Sequence, residues 1–169
     1  MTDSSLDLQD DTALIRFEGR DEAIPLVLSL AQRAKRQICI IGPNIDATLF
    51  DTPEFVECLK KLALSSPKAE VKILSQKTKI NVQRGHRIIP LAQHLTSSIH
   101  IRKPDNNHSD IQNILVLIDD FAYLKCPRAS YYDGTACFYD RLEVQTLQSQ
   151  FDNIWAHGTA EMSIRRLNL

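Results

Sequence analysis

An apolar run in the second half of the chain is flanked by polar side chains that could together hold an anion. Amides stand directly before the run, a carboxylate ends it, and a glycine, a hydroxyl and a thiol follow: Gln112, Asn113, Asp119, Gly134, Thr135 and Cys137. Amide and hydroxyl groups donate hydrogen bonds to phosphate oxygens, and the backbone N–H groups around Gly134 can add more. These six residues are therefore candidates for binding a ligand such as phosphate. The alternative is that Gly134 supplies a turn while Thr135 and Cys137 alternate in an ordinary strand.

Positive charge is concentrated between Lys68 and Lys103, where eight Lys or Arg residues stand against a single acid, Glu70. The whole chain has a formal charge of −1, so the remainder is acidic. Such a segment favours a phosphate or an acidic partner, although Lys and Arg also commonly coat solvent faces. The candidates for a basic rim lie around a predicted helix start, where an anion is favoured: Lys77, Lys79, Arg84, His86 and Arg87.

The sequence predicts no catalytic centre, no metal site and no cofactor. Only His86, His100 and Cys137 are realistic candidates for a nucleophile. The four cysteines have no C-x-x-C spacing, which indicates reduced thiols and no zinc site. Asp119 and Asp120 could bind a divalent cation, but paired carboxylates at a strand end are more often a solvated turn.

Hydrophobic periodicity predicts alternating helices and strands, followed by an antiparallel strand pair. The predicted helices span residues 22–36, a segment from Thr52-Pro53 to 63, a segment ending over 85–95, and 142–156. The predicted strands span residues 38–41, 71–74, 99–101, 114–118, 121–124 and 135–139. Alternation favours a parallel sheet with right-handed crossovers, and the short connection at 119–120 allows only a hairpin. The side chains expected to face inward from the last helix are Leu142, Leu147, Phe151, Ile154 and Trp155.

The stretch from Ile111 to Trp155 resembles the phospholipase D-like superfamily, in which this region reads H-x-K-x4-D, then G-S-x-N, then a helix with an apolar Phe and Trp. Here G-T-A-C, residues 134–137, stands at the position of G-S-x-N, and F-D-N-I-W ends the helix. The aspartate of H-x-K-x4-D can be matched to Asp119 or to Asp120. With Asp119, the His and Lys positions hold Gln112 and Ile114; with Asp120, they hold Asn113 and Leu115. Neither alignment supplies a nucleophile.

The resemblance implies an α/β fold with a mixed sheet flanked by helices, as a single half-domain. Chains of half size in this superfamily form their site by homodimerisation, so a homodimer is expected. Because loss of a nucleophile costs orders of magnitude in rate, we expect a noncatalytic module that binds a partner protein or a phosphate-bearing ligand. The alternatives are a phosphodiesterase or nuclease with a non-standard nucleophile, and a regulatory subunit of an adjacent enzyme. Nucleic acid is less favoured, because the pI is near 6.5 and aromatic residues do not alternate with the basic ones.

At 169 residues and 43% hydrophobic content, the chain fits one globular domain. We expect residues 1–11 to be a disordered acidic leader and residues 12–169 to be the domain. No apolar run approaches the roughly 20 residues needed to span a bilayer, and the first residues do not resemble a secretory signal. These features predict a cytoplasmic protein that does not enter the membrane.

Overall fold

The computed structural model describes residues 10–164. Its strands are β1 (Ile15–Phe17), β2 (Gln37–Gly42), β3 (Glu70–Ser75), β4 (Ile99–Lys103), β5 (Ile114–Ile118), β6 (Ala122–Arg128), β7 (Asp133–Cys137) and β8 (Thr159–Ala160). Its helices are α1 (Arg20–Ala31), α2 (Ala47–Phe50), α3 (Pro53–Ser65), α4 (Lys79–Gln83), α5 (Ile88–His94) and α6 (Arg141–His157). The eight strands form one sheet in the order β1-β7-β6-β5-β2-β3-β4-β8.

The sheet is mixed, as predicted. Strands β2, β3 and β4 are parallel because helices connect them, whereas β5 runs antiparallel to β2. Strands β5 and β6 form the expected hairpin, in which Ile118 pairs with Ala122 across a three-residue connection. This α/β arrangement, with helices on both faces of the sheet, is the fold class that the sequence predicted.

Both faces of the sheet are buried because the central strands are apolar throughout. Ile38 and Ile40 of β2 face a large core beneath α1, α3 and α5. Cys39 and Ile41 point to the opposite face, where α6 covers a smaller core. A strand buried on both sides reads as a continuous apolar run, and this explains the sequence of β2 and of β5.

Local signals set the starts of two helices. The Thr52 side chain accepts a hydrogen bond from the Phe55 backbone N–H at 3.2 Å, with Pro53 in the first turn of α3. The Asp140 side chain accepts from the Glu143 backbone N–H at 3.1 Å and caps α6. The predicted start at Thr52-Pro53 is confirmed.

Several predicted boundaries were wrong. The helix predicted over residues 22–36 ends at Ala31, and the strand predicted over 135–139 runs from Asp133 to Cys137. The helix predicted to end over 85–95 is two short helices, α4 and α5, because Gly85 has a φ of 69° and turns the chain between them.

The orientation of α6 also differs from the prediction. Leu142 was expected to face inward, but 79% of its surface is exposed. The buried side of α6 is formed by Val144, Leu147 and Phe151. Since successive helical residues are rotated by about 100°, Leu142 lies about 200° from Val144 and points away from the sheet. Trp155 is only half-buried and stacks beneath the Arg102 guanidinium, 4.4 Å from its ring centre.

Residues 1–9 of the predicted leader lie outside the described part of the chain. Asp11, at its end, forms an ion pair with Arg33 at 2.9 Å. Within residues 10–164, none of the helices is both long enough and apolar enough to cross a bilayer.

Candidate functional site

One edge of the sheet carries two adjoining clefts. The carboxyl ends of β2 and β3 meet there, since Gly42 pairs with Ser75. The amino ends of β5 and β7 lie at the same edge because both strands run in the opposite direction. The first cleft, which we call the edge cleft, has a volume of about 660 Å³. The second, which we call the helix cleft, lies between strands β5 to β7 and α6 and has a volume of about 740 Å³. Ile111 lines both.

The edge cleft has two cations in its walls, Lys77 and Arg128. Neither has a carboxylate within salt-bridge distance among the described residues, although the Arg128 guanidinium lies 5.4 Å from the ring centre of Tyr131. Gln112 also lines this cleft and donates from Nε2 to Asp110 Oδ1 at 3.1 Å. Because Asp110 also lines this cleft, the charged side chains of the edge cleft sum to +1, and they stand beside amide groups.

Backbone hydrogen bonds hold these side chains in place. The Lys77 N–H donates to the Pro43 carbonyl at 2.8 Å, which joins the segments that follow β3 and β2. The Ile111 N–H donates to Gln76 Oε1 at 2.9 Å, and the Ala129 N–H donates to the Gln112 carbonyl at 2.9 Å. The edge cleft is therefore built from loops that are tied to the sheet.

The helix cleft contains an ion pair instead of free cations. Lys125 of β6 pairs laterally with both Leu115 of β5 and Thr135 of β7. Its ammonium group lies 2.9 Å from Glu143 Oε1, and Glu143 is fixed in the first turn of α6. The rest of the lining is largely apolar, with Asn113 at the mouth. The charge in the helix cleft is neutralised internally.

The H-x-K motif can be aligned with this chain in two ways, counted from Asp119 or from Asp120. The two alignments place the lysine position on opposite faces of the sheet. Ile114 belongs to the core beneath α1 and α3, whereas Leu115 faces α6 together with Cys137. Asn113 and Thr135 both line the helix cleft, on the α6 side. Only the alignment counted from Asp120 therefore puts its positions on the face occupied by Thr135 and Cys137.

Asp119 lies at the opposite end of β5 from Asn113 and makes a separate cluster. Its buried carboxylate accepts hydrogen bonds from the backbone N–H groups of Lys35, Arg36 and Gln37 at 2.9, 2.8 and 2.8 Å. Its own φ is 51°, in the left-handed region that Asp tolerates better than most residues. The structure therefore uses Asp119 to join the hairpin to the α1–β2 connection.

Gly134 and Cys137 serve packing at their positions. A Cβ atom on Gly134 would lie 1.8 Å from the Lys125 carbonyl oxygen, so only glycine permits this approach of β7 to β6. Cys137 is buried, and its thiol lies 3.4 Å from the Asp11 carbonyl and 3.5 Å from that of Tyr139. Of the predicted ligand residues, the structure brings Asn113, Gly134 and Thr135 into the helix cleft and Gln112 into the edge cleft.

The predicted basic rim is divided among different surroundings. Lys77 lines the edge cleft and Lys79 is exposed on α4. Arg84 lines a third, smaller cavity, and Arg87 is paired with Asp51 at 3.1 Å. The expectation that His86 belongs to a solvent-facing rim was wrong: only 2% of its surface is exposed, because the turn at Gly85 directs it inward.

The three candidate nucleophiles do not come together. His86 lies in the smaller cavity, His100 lies in β4, and Cys137 is in the interior beneath α6. Neither cleft contains any of the three. Within residues 10–164, no group of three or more His, Cys, Asp or Glu side chains is arranged to hold a metal ion.

Arg128, Lys125 and Glu143 were not singled out from the sequence. Lys125 interrupts the apolar strand AYLKC, residues 122–126, at a position that faces α6, and a charge at such a position was the available signal. Arg128 gave no comparable signal, because it follows Pro127 in a segment that reads as a loop.

Solved structures with this fold are numerous. TrmBL2, an archaeal chromatin protein described as binding DNA, is 12% identical with a TM-score of 0.64, and the match covers 94% of this chain and 58% of that one. Nuc from Salmonella typhimurium, a phospholipase D family member, is 15% identical with a TM-score of 0.57, covering 88% and 99% of the two chains. NucT from Helicobacter pylori is 10% identical with a TM-score of 0.57 and the same coverages.

These likenesses establish the fold, because their sequence identities are all low. The chain spans little more than half the length of TrmBL2 and nearly the whole of Nuc and NucT. Curated protein sequences gave no match. The family model described as "Domain of unknown function (DUF7931)" matches residues 19–167. The chain therefore belongs to the DUF7931 family, and its fold is that of the phospholipase D-like superfamily.

Proposed function

We propose that the chain is a noncatalytic phospholipase D-like module that binds a phosphate-bearing ligand in the edge cleft. The observation that carries this proposal is the pair of cations, Lys77 and Arg128, which face one cleft without carboxylate partners among residues 10–164. Gln112 supplies an amide beside them. Arginine, lysine and amide donors together suit the oxygens of a phosphate group.

The edge cleft is favoured over the helix cleft on electrostatic grounds. In the helix cleft, the Lys125 ammonium already lies 2.9 Å from the Glu143 carboxylate. An anion entering there would meet Glu143 and would have to displace it or accept its repulsion. In the edge cleft the one acid among the lining residues is Asp110, and two cations outweigh its charge.

The absence of a suitably placed nucleophile supports a noncatalytic role. The position of the superfamily's acceptor histidine is occupied by Gln112 when the motif is counted from Asp119, and by Asn113 when it is counted from Asp120. Cys137 and His86 are buried away from both clefts. Phosphoryl transfer of the kind that the superfamily uses needs a histidine in contact with the phosphorus atom, and no histidine among the described residues lines either cleft.

The proposal extends to assembly and location. We take residues 12–169 as one domain that forms a homodimer in the cytoplasm, because half-size chains of the superfamily pair their motif faces. A partner protein carrying a phosphate or an acidic segment is a second occupant compatible with the same cations, as in a regulatory subunit of an adjacent enzyme. DNA or RNA would supply phosphates too, although the pI near 6.5 disfavours an extended backbone contact.

A binding titration tests the site. Inorganic phosphate, followed by the NMR amide shifts of the full chain, should shift residues around Lys77 and Arg128 in a saturable way. Lys77→Ala and Arg128→Ala should each weaken binding by about tenfold or more, since a hydrogen bond to a charged group contributes about 1.5–3 kcal/mol. Lys60→Ala, an exposed cation on α3, is the matched control and should change nothing. Binding that responds to Lys125→Ala but not to Lys77→Ala would move the site to the helix cleft and refute this assignment.

Activity and mass measurements test the remaining parts. We expect no turnover of bis-nitrophenyl phosphate or single-stranded DNA. Turnover that survives repurification and disappears in His86→Ala or Cys137→Ser would instead support a phosphodiesterase with a non-standard nucleophile. Light scattering should give twice the chain mass of 19.2 kDa, and a mass near 19.2 kDa at tens of micromolar would reject a stable homodimer.

A further inference from the structure

The edge cleft and the helix cleft meet along a narrow boundary. Gln112 lines the edge cleft, and the next residue, Asn113, lines the helix cleft. On the other side of the boundary, Pro127 lines the helix cleft and Arg128 lines the edge cleft. Neighbouring Cα atoms are about 3.8 Å apart, and Ile111 lines both clefts. One extended ligand can therefore enter both clefts at once.

The two clefts differ in charge. The charged side chains of the edge cleft are Lys77, Arg128 and Asp110, which sum to +1. The helix cleft is neutral because the Lys125 ammonium lies 2.9 Å from the Glu143 carboxylate, and most of its other lining residues are apolar. A ligand that fits both clefts therefore has a negatively charged group with an uncharged, partly apolar portion beside it.

The helix cleft presents surface that a ligand can reach. Ile154 of α6 is half-buried and Pro127 of β6 is exposed, so both offer apolar area. Asn113 and Gln150 are exposed at the same cleft, and each amide group can both donate and accept hydrogen bonds. The helix cleft thus combines apolar walls with polar groups of both kinds.

This combination favours a peptide over a lipid chain or a nucleic acid. The N–H and C=O groups of a peptide backbone match side-chain amides, and an aliphatic side chain covers the apolar walls. An acyl chain would place hydrocarbon against the amides and the Lys125–Glu143 pair, which costs free energy because those groups lose water. Single-stranded nucleic acid binds by stacking its bases on aromatic rings, and none of the described residues that line the helix cleft is aromatic. Tyr131, in the edge cleft, already has the Arg128 guanidinium 5.4 Å from its ring centre.

We propose that the two clefts together bind a phosphorylated segment of a partner protein, with a phosphoserine or phosphothreonine in the edge cleft and an aliphatic residue in the helix cleft. This inference rests on the proposed function, because it places the phosphate beside Lys77 and Arg128. A phosphorylated side chain carries a charge of about −1.5 to −2 at neutral pH. An extended peptide advances about 3.3 Å per residue, so the aliphatic residue lies about two residues from the phosphorylated one.

The test is an NMR titration of the full chain with synthetic peptides. The first probe is a short, end-blocked alanine peptide with phosphoserine at its centre and a leucine two residues away on each side. The second has alanine in place of both leucines, and the third has serine in place of the phosphoserine. We expect the first probe to bind about tenfold more tightly than the second, because a leucine side chain leaves water. The third should give no saturable shift.

Substitutions assign the two clefts. Thr146 is exposed on α6 and lines the helix cleft, so Thr146→Trp should fill part of that cleft and reduce the affinity for the first probe to that for the leucine-free phosphopeptide. Gln145→Trp is the matched control, because Gln145 is the neighbouring exposed residue of α6 and lies outside the lining. Lys77→Ala should weaken the binding of both phosphopeptides by about tenfold.

Inorganic phosphate separates the failure of this inference from the failure of the proposed function. If phosphate binds at Lys77 and Arg128 but the two phosphopeptides have equal affinities, the inference is wrong and the phosphate site stands. If neither phosphate nor a phosphopeptide binds, both are wrong. Unchanged affinity for the first probe in Thr146→Trp would also contradict the inference. Tighter binding of lysophosphatidic acid or of single-stranded oligothymidylate than of the first probe would assign the clefts to a lipid or to a nucleic acid instead.

Discussion

Replacement of Asp119 should be among the most damaging single changes in this chain, although Asp119 lies at neither cleft. Its carboxylate accepts three backbone hydrogen bonds from residues 35–37, at 2.8 to 2.9 Å, with only 4% of the residue exposed. These bonds tie the end of β5 to the start of β2, the two central antiparallel strands. Asp119→Ala would leave three N–H groups without their acceptor.

The magnitude follows from the type and number of these bonds. A hydrogen bond to a charged group contributes about 1.5–3 kcal/mol, and neighbouring bonds are not additive. We expect Asp119→Ala to lower the free energy of unfolding by about 3–5 kcal/mol. Asp119→Asn should cost less, because an amide oxygen can keep the two bonds that Oδ1 accepts from Arg36 and Gln37 and because Asn tolerates the left-handed φ.

Urea denaturation followed by circular dichroism measures these differences. The matched control is Asp120→Ala, one residue away, whose half-exposed carboxylate has only two long ion pairs, with Arg36 and Arg141 at 3.8 Å. Exposed pairs of this kind contribute less than about 1 kcal/mol. A loss below about 1 kcal/mol for Asp119→Ala, or an equal loss for the two alanine variants, would refute the reasoning.

Three further predictions follow from other sites. Gly134→Ala should destabilise the chain by about 2–4 kcal/mol in the same urea assay, because the new Cβ would overlap the Lys125 carbonyl; an unchanged midpoint would contradict this. Because the pKa of His86 is lowered from 6.5 by burial, stability should be complete above that pH and decline below it, as the unfolded chain binds protons first. His86→Asn should flatten that decline in unfolding curves measured from pH 7 to 5, and an equally steep decline would argue against His86 as its source. Burial raises the pKa of Cys39 to about 12, so a thiol reagent at pH 8 should modify half-buried Cys58 first, and Cys58→Ser should remove the fast phase; a fast phase that persists would show that another thiol is accessible.

The central part of the fold was predictable because it depends on local patterns. The apolar runs at 38–41 and 114–118 could only be buried strands or short buried helix segments, and their length decides for strands. Thr52 and Pro53 are a strong local start signal, and the structure uses both. The short connection after Ile118 required a hairpin, which is present.

Features that depend on distant pairing were not predictable. Strand β1 is only three residues long, and its place is set by antiparallel pairing with β7, whose Ala136 pairs with Ile15 from 121 residues further along the chain. His86 reads as a surface residue in a basic segment, and its burial follows from one backbone angle at Gly85. The exposure of Leu142 depends on which side of α6 meets the sheet, and that side is set by Val144 and Phe151.

The candidate site was predicted in part for a related reason. The positions of Asn113 and Thr135 follow from strand alternation, so their common face could be expected once the strands were known. The neutralisation of Lys125 by Glu143 joins β6 to α6 and needs the packing angle of the helix. A sequence pattern does not contain that angle, and the choice between the two clefts therefore required the structure.

The two outermost strands of the sheet come from opposite ends of the described chain, β1 on one side and β8 on the other. Seven strand spacings separate them, or about 34 Å. Each is very short and lies against a five-residue neighbour, so little unpaired backbone is available for another sheet to extend. Within residues 10–164, self-association by strand addition is therefore disfavoured at both borders, and the helices, loops and clefts offer the larger surfaces for contact between two copies.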